Sequence, residues 1–183
     1  MNAPAQPPGS RLRRAVAQAE PTSGPSDTSD SKIRVMIVDD SLTVRTIFKR
    51  MVESDPAMVI AETASSAERA IAQLDKTPAD VILLDLEMPG MGGLEALPEI
   101  LERANGGQVR VVASLTQDGA EHTVSALSMG AADTMLKPRP GGFNEDYRAQ
   151  LLAKVRALGE AVAPSDVKTD AEAAKIKAAG PPA

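Results

Sequence analysis

Cysteine is absent from the 183 residues, and histidine occurs once, as His122. Without thiols there is no disulfide framework, no thiolate zinc site and no cysteine nucleophile. A single imidazole rules out a multi-histidine metal cage and leaves a histidine-based triad one candidate base. Long apolar runs are missing as well. The longest aliphatic stretch is Val81 to Leu84, far short of the ~18 residues that a membrane-spanning helix needs. Arg11, Arg13 and Arg14 near the N-terminus are followed by no apolar segment. The plan of a secretory signal is therefore not met, and a cytoplasmic location without membrane insertion is expected. A net charge of -5 is far from the broad basic field of a nucleic-acid binder, so no nucleic-acid partner is expected either.

What is present suffices for one core. Apolar residues make up 43% of the chain and 13 glycines add to them, and at ~100 to 200 residues per domain the length allows one domain with tails. Residues 1–31 are crowded with Pro, Ser, Ala, Thr and Gly and show no periodicity. They read as a disordered N-terminal tail whose arginine cluster is solvated charge rather than a docking patch. Residues 163–183 alternate Ala with Lys, Asp and Glu and finish in Gly180-Pro181-Pro182, which reads as a second disordered tail or a truncated linker. The expected domain is residues 32–162.

Within it, short apolar runs alternate with segments of helical period. Ile33 to Val38 is a β-branched run ending in acids, a buried strand by pattern. Val44, Ile47, Phe48, Met51 and Val52 then recur at the spacing of one helix face. Met58 to Ala61, Val81 to Leu84, Val109 to Ala113 and Ala132 to Leu136 read as four further strands. Helix faces follow at Ala67, Ala70, Ile71 and Leu74, and at Leu94, Leu97, Ile100 and Leu101, the latter helix containing Pro98. Gly119 to Met129 reads as a short fourth helix, and Asn144 as the cap of a fifth whose face is Leu151, Leu152, Val155 and Leu158. Five β-α units imply an α/β fold, an open doubly wound parallel sheet covered on both sides, with right-handed crossovers. Five units are too few for an eight-unit barrel.

In such a sheet the ligand site lies beyond the carboxyl ends of the strands. Asp39 and Asp40 follow the first strand, Asp85 the third, and Lys137 the fifth. Three carboxylates on one edge repel one another unless a cation joins them, and an oxygen-only set suits Mg²⁺. With Mg²⁺ holding a phosphoryl group and the Lys137 ammonium meeting another of its oxygens, a carboxylate can attack phosphorus and become an aspartyl phosphate. Each residue alone has a plainer reading. Asp40 or Ser41 can cap the first helix, Asp85 can end a strand, and Lys137-Pro138 can be a turn. Caps and turns have no reason to fall together after strands one, three and five.

The pieces Val38-Asp39-Asp40-Ser41, Leu84-Asp85-Leu86-Glu87-Met88-Pro89 and Leu136-Lys137-Pro138 resemble the receiver domains of two-component response regulators, over about Lys32 to Leu158. The resemblance implies a flavodoxin-like sheet of strand order 2-1-3-4-5. It implies Asp85 as phosphoacceptor, Mg²⁺ held by Asp39, Asp40, Asp85 and the Glu87 main-chain carbonyl, and Lys137 on the phosphate. It also implies a sensor histidine kinase as phosphodonor and a downstream protein partner on the face of helix four, strand five and helix five. Ser114-Leu115-Thr116-Gln117-Asp118-Gly119-Ala120-Glu121, followed by Gly130-Ala131-Ala132-Asp133, looks like the receiver half of chemotaxis protein-glutamate methylesterases.

Three positions depart from the family pattern. The usual hydroxyl at the end of strand four is Ala113, with Ser114 beside it as the remaining candidate for phosphate binding. The usual aromatic on strand five is Thr134, and the usual Asp-Gly after the Met-Pro loop is Gly92-Gly93. A methylesterase catalytic domain needs well over a hundred further residues, so a stand-alone receiver or the receiver fragment of a longer esterase is expected, with no effector domain in this chain and no esterase activity of its own, and with His122 an exposed or half-exposed helix residue. The alternative is a Mg²⁺-dependent phosphohydrolase with an aspartyl-phosphate intermediate, in which Glu87 is the general acid-base. The Asp39-Asp40 pair argues against it. A mononucleotide-binding module needs a Gly-rich loop where Asp39-Asp40-Ser41-Leu42 stands.

Overall fold

A computed structural model describes residues 32–162, and both expected tails lie outside the described residues. Five strands alternate with five helices in the order β1 (Ile33–Val38), α1 (Leu42–Glu53), β2 (Met58–Ala64), α2 (Ala67–Leu74), β3 (Val81–Asp85), α3 (Gly93–Arg103), β4 (Gln108–Ala113), α4 (Gln117–Met129), β5 (Asp133–Leu136) and α5 (Glu145–Val162). The strands form one sheet in the order β2-β1-β3-β4-β5, and every pairing is parallel. This is the flavodoxin-like order that the sequence implies. All five residues of β3 are buried, as a central strand covered on both faces requires.

The side chains alternate between two apolar layers. Met36, Val38, Ile82, Leu84, Val109 and Val111 meet the helices α2, α3 and α4 through residues such as Leu74, Leu97, Ile100 and Ala126. Val35, Ile37, Val81, Leu83 and Val112 meet α1 and α5 through Phe48, Val52, Leu151 and Val155. The sequence holds two Phe, one Tyr and no Trp, and all three rings gather on this second face. Phe143 stands edge-on to Phe48 at 5.8 Å and to Tyr147 at 5.7 Å. Such pairs add about 1 kcal/mol each beyond the burial itself, and here they pin the start of α5 to α1.

Boundaries differ from the sequence pattern where polar residues take structural roles. β2 runs on through Glu62, Thr63 and Ala64, because an edge strand tolerates polar residues that an apolar count reads as loop. α4 starts at Gln117, where Thr116 caps the helix by accepting from the Gly119 amide at 2.9 Å. It ends at Gly130, whose φ of 118° favours glycine. Asn144 caps α5 as expected, its Oδ1 accepting from the Tyr147 amide, and α3 runs through Pro98. His122 is half-exposed on α4. Among the described residues no helix is long and apolar enough to cross a membrane.

Both apolar layers are assembled from residues between Ile33 and Leu158. A fragment of residues 32–162 is therefore expected to unfold in one cooperative transition, within a few degrees of the full chain. A broad, non-cooperative melt of the fragment in calorimetry would contradict this.

Candidate functional site at the carboxyl ends of β1, β3 and β5

The sheet order reverses between β1 and β3, so their carboxyl ends open the crevice that doubly wound sheets use for ligands. Asp39 leaves β1 there, and Asp85 ends β3. Each is only 1% exposed, and the two are held alike. Asp39 Oδ1 accepts from the Ser41 amide at 2.8 Å, and Asp85 Oδ1 from the Glu87 amide at 3.0 Å. Lys137 reaches from the end of β5 and places its Nζ 2.8 Å from the Oδ2 of both. To Asp85 this is a hydrogen bond. To Asp39 it is a close charge contact without hydrogen-bond direction, which leaves the buried Asp39 Oδ2 without a hydrogen-bond partner. Asp40 is exposed beside them, and one oxygen of each of the three carboxylates lies within 4.8 Å of the others.

The electrostatics follow from that crowding. Burial pushes the Asp85 carboxyl up to about 6, against the lowering by the Lys137 hydrogen bond and the Glu87 amide, and the Asp39 carboxylate adds to the rise. Burial works against the charge on Lys137 too, but its two carboxylate partners override it and hold the ammonium above its usual range. Three carboxylates face one ammonium, an excess of negative charge with a buried oxygen lacking a hydrogen bond. An all-oxygen donor set in that state fits a hard divalent cation.

Local structure explains how these residues reach their places. Ser41, not Asp40, caps α1, its Oγ accepting from the Val44 amide. Arg45, on the first turns of α1, donates to the main-chain carbonyls of Asp39 at 2.6 Å and Asp40 at 3.1 Å. The sequence reading missed this clamp, and an arginine five and six residues after an acidic pair is the signal that would have found it. Behind Asp85, Gly93 approaches so closely that a Cβ would stand 2.1 Å from the Asp85 carbonyl oxygen. Only glycine allows α3 to begin there. Gly92 is the N-cap of α3 and offers no side-chain bond.

The remaining sequence candidates lie at the end of β4 and along β5. Ala113 is buried at the end of β4, level with Leu136, and its carbonyl accepts from the Lys137 amide at 2.7 Å. Ser114 donates to Glu87 Oε1 at 2.6 Å. Thr134 is half-buried on β5. Its carbonyl accepts from Arg110, a wholly buried arginine on β4 that also pairs with Asp133 at 2.7 Å.

The family described as response regulator receiver domain matches residues 35–142. A protein-glutamate methylesterase/protein-glutamine glutaminase of Rhodospirillum rubrum is 42% identical over 139 residues, which covers 74% of this chain and 36% of that protein. One from Caulobacter vibrioides is 45% identical over 129 residues, covering 69% of this chain and 37% of the relative. The chain thus spans about a third of the length of these curated relatives. The solved response regulator domain of Thermotoga maritima CheB shares 35% of its residues, with a TM-score of 0.62, and the match covers 70% of this chain and 97% of that one. The matched portion is the relatives' receiver, a signalling module, and their catalytic portion is not among these 183 residues. The phosphohydrolase alternative has no support in these matches. A likeness that spans a whole receiver in both sequence and fold settles the family: the chain belongs to the receiver domains of response regulators.

Proposed function

We propose that this receiver takes a phosphoryl group on Asp85 from a sensor histidine kinase or a small phosphodonor, in a chemotaxis-related relay, and signals by changed protein binding. The observation that carries this reading is the position of Asp85, a buried carboxylate with one oxygen on the Glu87 amide and the other on Lys137. An Asp85 oxygen attacks phosphorus as the bond from phosphorus to the donor breaks. The electron pair leaves with the donor, as imidazole when the donor is a phosphohistidine. The Lys137 ammonium then has a new partner in a phosphoryl oxygen, and Ser114 supplies a second donor once its hydroxyl turns from Glu87.

Asp39, Asp40, Asp85 and the Glu87 main-chain carbonyl would hold Mg²⁺, a set that the all-oxygen chemistry and the convergence of three carboxylates on one ammonium support. When bound, that ion supplies the charge neutralisation that lets an anionic phosphoryl group approach three carboxylates. Arg45 keeps the Asp39-Asp40 main chain in place. Output through the face of α4, β5 and α5 is supported by the exposed apolar side chains Val124 and Leu127 of α4 and Leu136 of β5. A cavity of about 320 Å³ also lies there, lined by Leu115, Thr134, Leu136 and Tyr147 among others.

Acetyl phosphate is expected to add a phosphoryl group to the full chain in the presence of Mg²⁺ and to add none after chelation with EDTA. Intact mass reads the difference. Modification at the same rate in EDTA would contradict the metal role of the acidic cluster.

A further inference from the structure

In the absence of a hydroxyl at Ala113 and a ring at Thr134, the site has to reach α4 by another route, and a continuous set of hydrogen bonds supplies one. Glu87 is tied to the phosphorylation site through its amide, which donates to Asp85 Oδ1. Its carboxylate leaves the site on the other side, where Oε1 accepts from Ser114 Oγ at 2.6 Å and lies 3.4 Å from Thr116 Oγ1. The two hydroxyls are 3.1 Å apart. Thr116 in turn is the cap of α4, accepting from the Gly119 amide.

The donors fix a direction in this chain. A hydroxyl has one hydrogen, and that of Ser114 goes to Glu87. Thr116 takes the Gly119 N–H and spends its own hydrogen on Ser114 or Glu87. The result runs from the first turn of α4 to a single carboxylate. Packing reinforces it, for a Cβ at Gly119 would stand 2.4 Å from the Ser114 carbonyl oxygen. The first turn of α4 is therefore seated directly on the residue that Glu87 holds.

We infer that the Glu87 carboxylate is a latch: in the unphosphorylated chain it holds Ser114, Thr116 and the N-terminus of α4, and phosphorylation releases them. This rests on Asp85 being the phosphoacceptor. A phosphoryl group brings roughly two negative charges and three strong acceptor oxygens two residues from Glu87. It repels the Glu87 carboxylate and offers Ser114 a more highly charged acceptor. When the Ser114 hydroxyl transfers and the Glu87 carboxylate is repelled, Thr116 loses both of its acceptors and the cap of α4 is reset, which moves the helix that carries the exposed Val124 and Leu127. The coupling needs neither the missing hydroxyl nor the missing ring.

The test follows the amide resonances of Ser114 and Gly119 in the ¹⁵N-labelled full chain, with intact mass taken on the same samples. Acetyl phosphate with Mg²⁺ is expected to displace the Gly119 resonance of the unsubstituted protein. In Glu87→Ala without phosphate, Gly119 is expected to have moved already by at least half of that displacement, in the same direction. Glu87→Asp, whose carboxylate is one methylene short of Ser114, should show the same move with the charge retained. A Gly119 resonance unmoved in both unphosphorylated variants overturns the latch. A gain of one phosphoryl mass with no change at Gly119 also overturns the latch and leaves the phosphoacceptor reading standing, whereas no gain of mass at all overturns both.

Discussion

Lys137→Met is expected to lower the melting temperature at pH 7, without divalent ions, by roughly 10 °C, or about 3 kcal/mol. Lys137 is the cation between Asp39 and Asp85, with its Nζ 2.8 Å from each, and the two carboxylates are almost wholly buried. Removing one partner from a buried charge cluster leaves the other charges without compensation, which typically costs 3 to 5 kcal/mol. The lower end applies because exposed Asp40 marks a side open to water, and because a carboxyl already pushed up to about 6 can take a proton instead. Methionine keeps most of the apolar stem, so lost packing is a minor part. Mg²⁺ should restore part of the loss, and the double variant Lys137→Met/Asp85→Asn most of it, since the second change removes one of the facing charges. Thermal unfolding of the three proteins decides this. Equal melting temperatures for Lys137→Met and the unsubstituted chain would mean that the cluster is far better solvated than its burial indicates.

Gly93→Ala should destabilise by a similar amount, about 3 kcal/mol, near the top of the usual range for overpacking. The added methyl group would run into a single peptide unit, with the Asp85 carbonyl oxygen at 2.1 Å and the Asp85 carbonyl carbon and Leu86 Cα at 2.9 Å. None of these is the end of a flexible side chain, so either α3 or the end of β3 that carries Asp85 has to move. Phosphorylation should slow along with the loss of stability, because the displaced backbone is that of Asp85 itself. The neighbour is the control. Gly92 has ordinary space around a Cβ, with Leu86 O at 3.6 Å, and its φ of -65° suits any residue. Gly92→Asp should stabilise by a few tenths of a kcal/mol, because a carboxylate at this N-cap can accept from an amide of the first turn. Denaturant melts of both variants read the contrast, and equal effects at the two positions would contradict it.

The fold was legible because its strands are apolar runs of the length and composition that a doubly covered sheet demands. Ile33 to Val38 and Val81 to Leu84 stand out even in a chain with no long apolar stretch. The site was legible for a related reason. Charged residues directly after such runs have one place to go, the carboxyl edge of the sheet, and Asp39, Asp40, Asp85 and Lys137 meet there. Contacts that depend on strand register were not legible. Ser114 and Glu87 are 27 residues apart and meet because Asp85 lies level with Val112 across β3 and β4. Arg110 looks like a polar interruption of an apolar run, and its burial makes sense only once β5 brings Asp133 beside it. The end of β2 was hidden by Glu62 and Thr63, polar residues that an edge strand accommodates.

The measurement that bears most directly on the proposed chemistry is intact mass after acetyl phosphate and Mg²⁺, made on the full chain beside Asp85→Asn. The unsubstituted protein should gain one phosphoryl group per chain, stable in acid and lost in mild base as an acyl phosphate is, and Asp85→Asn should gain none. An equal gain by Asp85→Asn at the same rate would contradict the assignment of Asp85.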